Sequence, residues 1–577
     1  MPDLDSLKKL CDQHLKPGDH RTSDYFALLR QLVAKRGQAP PTTSDHDFWQ
    51  SEIDRVYVLL ADEIRTNSNK PRKPVKFGTS GWRGVLGKEL FVTSVSQVAL
   101  AIGELYEEMG NNRQLIEALG VSDPTEARKR GCLLGFDNRF GGEILADAVA
   151  DVLTGLGFVV HYAGESTTGV LSAALLELNG AFSINLTPSH NPLEYGGFKF
   201  NAADGGPAAP VITDQITARA EAIINGGRKP TSSPHPELRQ PCDALGLWLT
   251  FLKRGGKLHG LDQERIIAQF FADPRLVVAI DAVHGASRVH LRRLFADRAN
   301  ERLIFLRDSN DPTFGGISPE PSTANLEPVR QALAARPEPL KLGMIIDPDA
   351  DRIRFTDGVN DIDMNRFGAA AYHYLHESKG KRGLVAKSVA TSNFANAVAK
   401  GLGEEVFESR VGFKEFKPVI GRALVMFEES DGISILGHTP EKDAYIGLFL
   451  ALDLVINTGK NLGDYILDIE KQFGSYYPGR SSISVSLQGE ELLAALEKLA
   501  KYQLGTYLTV GGREKQIVEV LAIDGRKLIL DDGSWLLIRP SGTEPKVRFY
   551  VEARSADGCQ ALVDTAQQLL AEVGLVD

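Results

Sequence analysis

The sequence predicts an α/β protein of several domains: three successive strand–helix units followed by a smaller α+β domain. Three observations carry this. The chain has 577 residues, too many for one hydrophobic core. Between about residues 76 and 457, short apolar runs alternate with segments of helical periodicity, the pattern of a sheet covered by helices. The last hundred residues break that pattern, with short alternating strands around an Asp524-Gly525 turn signal.

Taken in order, residues 1–75 read as a helical extension. Phe48, Ile53, Val56, Leu60 and Ile64 recur at helical spacing and make one buried face. Residues 67–74 are polar and proline-bearing, as in a linker. No chemistry is visible here, and the extension is expected to serve packing or assembly.

The first unit, residues 76–209, opens with Phe77-Gly78-Thr79-Ser80-Gly81-Trp82-Arg83-Gly84. Its glycines allow close approach of a ligand and Arg83 could meet a phosphate, but taken alone it reads as a surface turn. A helix over 92–109 precedes a strand at 131–136 that ends in Asp137-Asn138-Arg139. A helix to 156 and strands at 158–161 and 181–186 follow. The second unit, 210–362, has a strand at 276–281, a turn-rich stretch at 311–325, a helix at 326–335 and a strand at 342–346. The third, 363–474, has strands at 384–387 and 423–427. Each unit ends a strand in a polar loop, and ligands gather at the carboxyl ends of parallel strands. In residues 475–577, Pro478-Gly479 reads as a break before a half-exposed strand at 482–487. Strands at 517–522, 527–531, 535–538 and 547–551 and a helix after Asp557 complete the chain.

A net charge of −10 argues against nucleic acid as the main partner but not against a small anionic substrate in a local basic cleft. The four cysteines are scattered without a CxxC pair, which predicts neither a disulfide framework nor a zinc site. The N-terminus lacks a signal-peptide pattern, and no run of about 18 apolar residues is present, so a cytoplasmic protein without a membrane span is expected.

Four loops carry candidate chemistry. In Leu186-Thr187-Pro188-Ser189-His190-Asn191-Pro192, two prolines stiffen the backbone around a serine, and Ser189 is read as the carrier of a phosphoryl group. The hydrolase elbow GxSxG is absent, and adjacent side chains on an extended loop should point apart, so a Ser189–His190 triad is discounted. Lys199 is a general acid or base if neighbouring cations lower its pKa. In Asp347-Pro348-Asp349-Ala350-Asp351-Arg352, three carboxylates this close repel one another unless a hard divalent cation sits among them; the spacing does not fit an EF-hand. Glu428-Glu429-Ser430, with Gly437-His438-Thr439-Pro440-Glu441-Lys442-Asp443 after it, offers the acceptors and donors that sugar hydroxyls need, and is equally a solvated loop before a helix. Lys414 is either a solvated helix residue or a cation reaching into the site. Arg539-Pro540-Ser541-Gly542-Thr543-Glu544-Pro545-Lys546, with Arg548 extending its basic rim, offers a phosphate several donors in one concavity and is not a Walker loop.

These four loops, in this order, resemble those of the α-D-phosphohexomutase superfamily, the phosphoglucomutases and phosphomannomutases, over about residues 77–553. The resemblance implies three related α/β domains with mixed sheets and a smaller α+β domain, arranged around a central cleft. It implies that Ser189 is the phosphoserine, that Asp347, Asp349 and Asp351 hold Mg²⁺ with an oxygen from Ser189, and that Glu428 and Ser430, with Lys442, read the sugar. It places Arg539, Ser541, Gly542, Thr543 and Lys546 on the idle phosphate. Arg83, Arg352 and His190 fall near the transferring group, with Lys199 as acid/base. Glucose 1,6-bisphosphate is the implied intermediate, and a monomer or homodimer the implied assembly. Two positions depart from the family: Pro188 replaces a usual alanine or glycine, and Asp431 a frequent glycine, which blurs the hexose assignment. Glu-Glu-Ser favours glucose over amino sugars; mannose or pentose phosphates, or a catalytically silent sugar-phosphate-binding protein, are the alternatives.

Overall fold

The computed structural model describes residues 4–78, 81–110, 112–541 and 546–575. Four sheets organise it. The first contains β1 (Trp82–Val85), β2 (Cys132–Phe136), β3 (Val160–Glu165), β4 (Phe182–Leu186), β5 (Tyr195–Ala202) and β6 (Arg239–Pro241), in the order β1-β5-β4-β2-β3-β6. The second contains β7 (Leu276–Asp281), β8 (Leu303–Leu306), β9 (Leu340–Ile346), β10 (Ile353–Thr356) and β11 (Asp361–Ile362), in the order β11-β10-β9-β7-β8. The third contains β12 (Leu384–Ser388), β13 (Val406–Ser409), β14 (Ala423–Glu428) and β15 (Gly432–Ile435), in the order β13-β12-β14-β15.

These three sheets share one plan. Parallel strands form the centre, and β4, β7 and β14 are buried along their whole length. Burial on both faces explains why they appear in the sequence as unbroken apolar runs. In each sheet one strand then turns back antiparallel: β4 into β5, β9 into β10, β14 into β15. The loops at those reversals carry Ser189, the three aspartates, and Glu428 with Ser430. Each contains a non-glycine residue in the left-handed region, Ser189 (φ +57°), Ala350 (φ +51°) and Asp431 (φ +71°). Three loops of different chemistry thus occupy one topological position.

The fourth sheet is antiparallel: β16 (Tyr477–Ser484), β17 (Tyr507–Val510), β18 (Arg513–Leu521), β19 (Arg526–Leu530), β20 (Trp535–Pro540) and β21 (Lys546–Ala553), in the order β16-β21-β20-β19-β18-β17. Helix Ala556–Glu572 packs on it. Pro478-Gly479 is not a break. It lies inside β16, an edge strand, where proline's missing N–H costs no ladder bond. That strand ends at Ser484, earlier than expected. β17 has no counterpart in the sequence reading.

The extension forms helices Leu4–His14, Tyr25–Gln38 and Ser44–Thr66. Leu28, Leu29, Leu32, Ile53, Leu60 and Ile64 are fully buried in one continuous core with the first sheet and its helices. Among the described residues no helix is long and apolar enough to cross a membrane.

Candidate active site

The Ser189 loop is held from below. Ser189 N–H donates to Thr187 Oγ1 at 2.9 Å, and that hydroxyl donates to Asp137 at 2.6 Å. Arg139 donates Nη2 to the carbonyls of Ser189 (2.7 Å) and Asn191, and Nη1 to that of Pro192 (2.7 Å). Gly197 on β5 lets the loop lie flat, since a Cβ there would meet the Thr187 carbonyl and Pro188 Cα. The left-handed φ of Ser189 turns its hydroxyl off the extended path.

That turn corrects one expectation. Ser189 and His190 do not point apart: Oγ lies 3.3 Å from Nδ1. No triad results, because Nε2 faces the Arg352 guanidinium at 3.5 Å instead of a carboxylate. Burial, with Arg352 and Arg83 nearby, holds the imidazole well below its usual pKa and therefore neutral. Arg83 is not a surface turn residue either. It sits on β1 opposite Gly197, half-buried, and donates to Asn191 Oδ1 at 2.9 Å.

Ser189 Oγ donates to Asp347 Oδ2 at 2.7 Å. One oxygen from each of Asp347, Asp349 and Asp351 lies within 4.8 Å of the others, and all three residues are buried. Burial and the two neighbouring carboxylates push Asp347 well above the usual carboxylate range. Burial also raises Asp351, but Lys199, Lys442 and Arg352 outweigh it and hold that carboxyl well below the range. Asp349 Oδ1 and Asp351 Oδ1 are buried and accept no hydrogen bond from the described residues. Buried carboxylate oxygens without a donor are costly, and a hard cation with oxygen ligands relieves that cost. The three residues therefore fit a divalent metal. Thr168, at the start of helix Thr168–Leu178, donates its N–H to the Asp349 carbonyl (2.8 Å) and its hydroxyl to Asp349 Oδ2 (2.7 Å).

Lys199 departs from the expected chemistry. Its neighbours are Asp349 (2.6 Å) and Asp351 (2.9 Å). Burial alone would lower its pKa, yet the two carboxylates reverse the sign and raise it above the usual lysine value. Lys199 is held in its acid form.

Lys442 Nζ reaches Asp351 at 3.2 Å, so the Glu428 loop and the aspartate loop converge. Glu428 accepts the Gly412 N–H at 2.6 Å, and burial with Glu429 beside it raises its carboxyl to about 7. Glu429 turns inward instead: its Oε2 accepts from Ser388 (2.8 Å) and Thr391 (3.1 Å). Ser430 is half-buried at the turn. Asp431 occupies the left-handed region (φ +71°), which glycine adopts most easily. Its carboxylate is bound by Arg354 at 2.7 Å and by the Met364 N–H at 3.3 Å. Lys414 lies in the short helix Phe413–Val419, half-buried, its side chain making no hydrogen bond or ion pair among the described residues.

Arg539, at the end of β20, pairs with Asp524 at 3.0 Å, and Asp524 also accepts the Val411 N–H at 3.1 Å. Ser541 N–H bonds the Lys546 carbonyl at 2.9 Å, which closes the loop. Tyr550 connects this loop to the third sheet, with Glu429, Arg539 and Arg548 around its hydroxyl. Gly542 and Thr543 lie outside the described residues.

Comparison with known proteins decides the family. Four models match along the chain: phosphoglucomutase/phosphomannomutase alpha/beta/alpha domain I over residues 74–226, domain II over 263–360, domain III over 363–473, and the C-terminal domain over 483–567. The chain belongs to the phosphoglucomutase/phosphomannomutase family. It is thus a phosphohexomutase, an isomerase-class phosphotransferase.

Two relatives illustrate the likeness. The phosphoglucomutase/phosphomannomutase of Thermococcus kodakarensis is 25% identical over 510 residues, covering 86% of this chain and 98% of its own. The phosphoglucomutase of Komagataeibacter xylinus is 26% identical over 547 residues, covering 86% and 90%. Among solved structures, the open form of Paramecium parafusin, a phosphoglucomutase, shares the fold with a TM-score of 0.67 at 19% identity, covering 89% of this chain and 97% of its own. Aspergillus fumigatus N-acetylphosphoglucosamine mutase in complex with GlcNAc-6P and magnesium has a TM-score of 0.51 at 13% identity, covering 89% and 98%.

Within this phosphohexomutase, three residues at the site had no assigned part in the sequence reading: Asp137, Arg139 and Thr168. Asp137-Asn138-Arg139 carried a signal, a polar tripeptide at the end of a buried strand, but its partners lie about fifty residues further on. Thr168 carried none, because its partner is 181 residues away.

Proposed function

We propose that the protein interconverts glucose 1-phosphate and glucose 6-phosphate through phosphoserine 189, with glucose 1,6-bisphosphate as the intermediate. The observation that supports this most is the buried contact of Ser189 Oγ with Asp347, beside two aspartate oxygens that accept nothing. In the reaction the Ser189 O–P bond breaks as a bond forms from phosphorus to the free sugar hydroxyl. The bisphosphate turns around, and its other phosphoryl group returns to Ser189. Asp347, Asp349 and Asp351 would hold Mg²⁺, with an oxygen from Ser189; when bound, the ion offsets charge on the transferring group.

The chain's own residues do the rest. Lys199, held protonated by Asp349 and Asp351, would give a proton to the departing serine oxygen as it takes the one released by the attacking sugar hydroxyl, and the reverse transfer accompanies the return of the second phosphoryl group to Ser189. Arg83 and Arg352 add positive charge around the phosphoryl group, and neutral His190 offers it a ring nitrogen. Glu428, Ser430 and Lys442 take sugar hydroxyls, with Lys414 as a further contact. Arg539, Ser541, Gly542, Thr543 and Lys546 hold the idle phosphate.

Glucose is favoured by the Glu428-Glu429-Ser430 sequence. A dual gluco/manno specificity is the second reading, supported by the inward turn of Glu429, which withdraws one of its oxygens from sugar recognition. The test is a parallel rate comparison with the 1-phosphates of glucose, mannose, glucosamine and ribose. The fastest turnover is expected with glucose 1-phosphate. Equal kcat/KM for mannose establishes the second reading, and faster turnover of glucosamine or ribose phosphate overturns both.

A further inference from the structure

The helical extension takes no part in the chemistry above, yet it reaches both units whose loops meet at Ser189. Ser189 belongs to the first sheet and Asp347 to the second, so their 2.7 Å contact depends on how those two units sit against each other. The extension shares the core of the first unit. From there Arg36, in the last turn of helix Tyr25–Gln38, crosses to the second. Its Nη2 donates to Asp311 Oδ2 and to Thr313 Oγ1, each at 2.9 Å. Thr313 returns its N–H (2.9 Å) and hydroxyl (2.5 Å) to Asp311. This tied turn sets the next residue, Phe314, which is 1% exposed with φ +55°. The Phe314 ring lies 4.8 Å from the Arg139 guanidinium, a cation–π contact. Arg139 is the residue that grips the carbonyls of Ser189, Asn191 and Pro192.

Two further contacts run the same way. Arg30 donates to Glu194 at 2.9 Å, in the Ser189 loop itself. Tyr57 stacks on Phe140, the neighbour of Arg139, with centroids 4.2 Å apart.

We infer that the N-terminal extension is a positioning brace, in which Arg36, through Asp311, Thr313 and Phe314, sets Arg139 and thereby fixes the Ser189 loop over the aspartates. The inference rests on the proposed role of Ser189. Arg36 and Phe314 act through Arg139. A misplacement of about 1 Å at a reacting group can cost about 10²-fold in rate, so a brace far from the chemistry has a kinetic signature.

The test uses the full-length protein with Arg36→Met, Phe314→Leu, the double variant, the conservative Arg36→Lys and the control Arg55→Gln, on an exposed extension side chain. Two readouts are taken: amide hydrogen exchange over residues 189–195, and kcat and KM with glucose 1-phosphate. In Arg36→Met, exchange over 189–195 is expected to rise and kcat to fall, each about tenfold, with KM within about twofold. Arg36→Lys recovers part of both, and Arg55→Gln changes neither. The double variant is expected to be no worse than the poorer single one, because both cut one relay. Phe314→Leu carries the same readouts if Arg36→Met does not fold. A folded Arg36→Met or Phe314→Leu protein with unchanged exchange over 189–195 overturns the brace, as do fully additive losses in the double variant. Ser189→Ala separates the two claims: the exchange arm reads the brace whether or not that serine carries phosphate, and turnover surviving in Ser189→Ala removes the phosphoserine alone.

Discussion

Two of the buried charge clusters in this molecule are built on opposite terms. At the site, Asp347, Asp349 and Asp351 are buried together with too few donors: Asp347 is pushed up in pKa and two oxygens accept nothing. Between the third and fourth sheets, Lys387 and Lys527 share Glu408 at 2.9 and 3.1 Å. There Lys387 also donates to the Thr391 carbonyl at 3.0 Å, while Lys527 donates to the Val389 carbonyl at 2.8 Å and lies 4.1 Å from the Trp535 ring centroid. The second cluster is complete within the protein. The first is complete only with something added. A buried charge network whose polar atoms are all partnered holds domains together, whereas one with carboxylate oxygens left without a donor is set up for a ligand.

The largest expected difference between the two comes from neutralising one carboxylate in each. Asp347→Asn should lower kcat by about 10³-fold, on the order of 4 kcal/mol. The metal-free protein should become more stable, because the folded state disfavours the charge it removes. A melting series with and without Mg²⁺ checks this, and wild-type activity, or an unchanged response to Mg²⁺, would erase the distinction. Glu408→Gln should do the reverse. Two buried lysines would lose their carboxylate at a cost of about 3–5 kcal/mol in stability, with kcat of the folded protein nearly unchanged.

The same glutamate gives the pH dependence. Burial raises the Glu408 carboxyl, but Lys387 and Lys527 outweigh it and hold it at about 2, below the 4.5 of an ordinary glutamate. The folded pKa is depressed, so this stabilisation is fully present above pH 4.5 and is lost as pH falls toward about 2. The loss is on the order of 3 kcal/mol. Acid unfolding followed by tryptophan fluorescence should show it in the wild type and not in Glu408→Gln.

The smallest effect concerns the reversal loops. At φ +71°, Asp431→Gly should be more stable than Asp431→Ala by about 1 kcal/mol, since both lose the Arg354 pair and only alanine keeps the left-handed strain. Equal denaturation midpoints would show that the loop relaxes.

Much of this architecture was legible in the sequence because buried parallel strands are unbroken apolar runs and their terminal loops stay polar. Strand 276–281 and the loops of Ser189, Asp347 and Glu428 could be read for that reason. What was not legible lies between distant segments. Lys199 was expected among cations that lower its pKa, but its spatial neighbours are Asp349 and Asp351, which raise it. The left-handed turn at Ser189, which brings His190 beside it, has no glycine to announce it. Arg139 and Thr168 acquire meaning only when segments far apart in the chain meet, as Pro478 does only when β16 is seen to be an edge.

The central claim is that Ser189 relays the phosphoryl group. Intact-mass analysis after incubation with glucose 1,6-bisphosphate and Mg²⁺ tests it most directly, in the wild type and in Ser189→Ala. The account predicts one added phosphoryl group, mapped to the peptide containing Ser189 and missing from the variant. A phosphoryl group that persists in Ser189→Ala, or a fully active wild-type enzyme that never carries one, would contradict it.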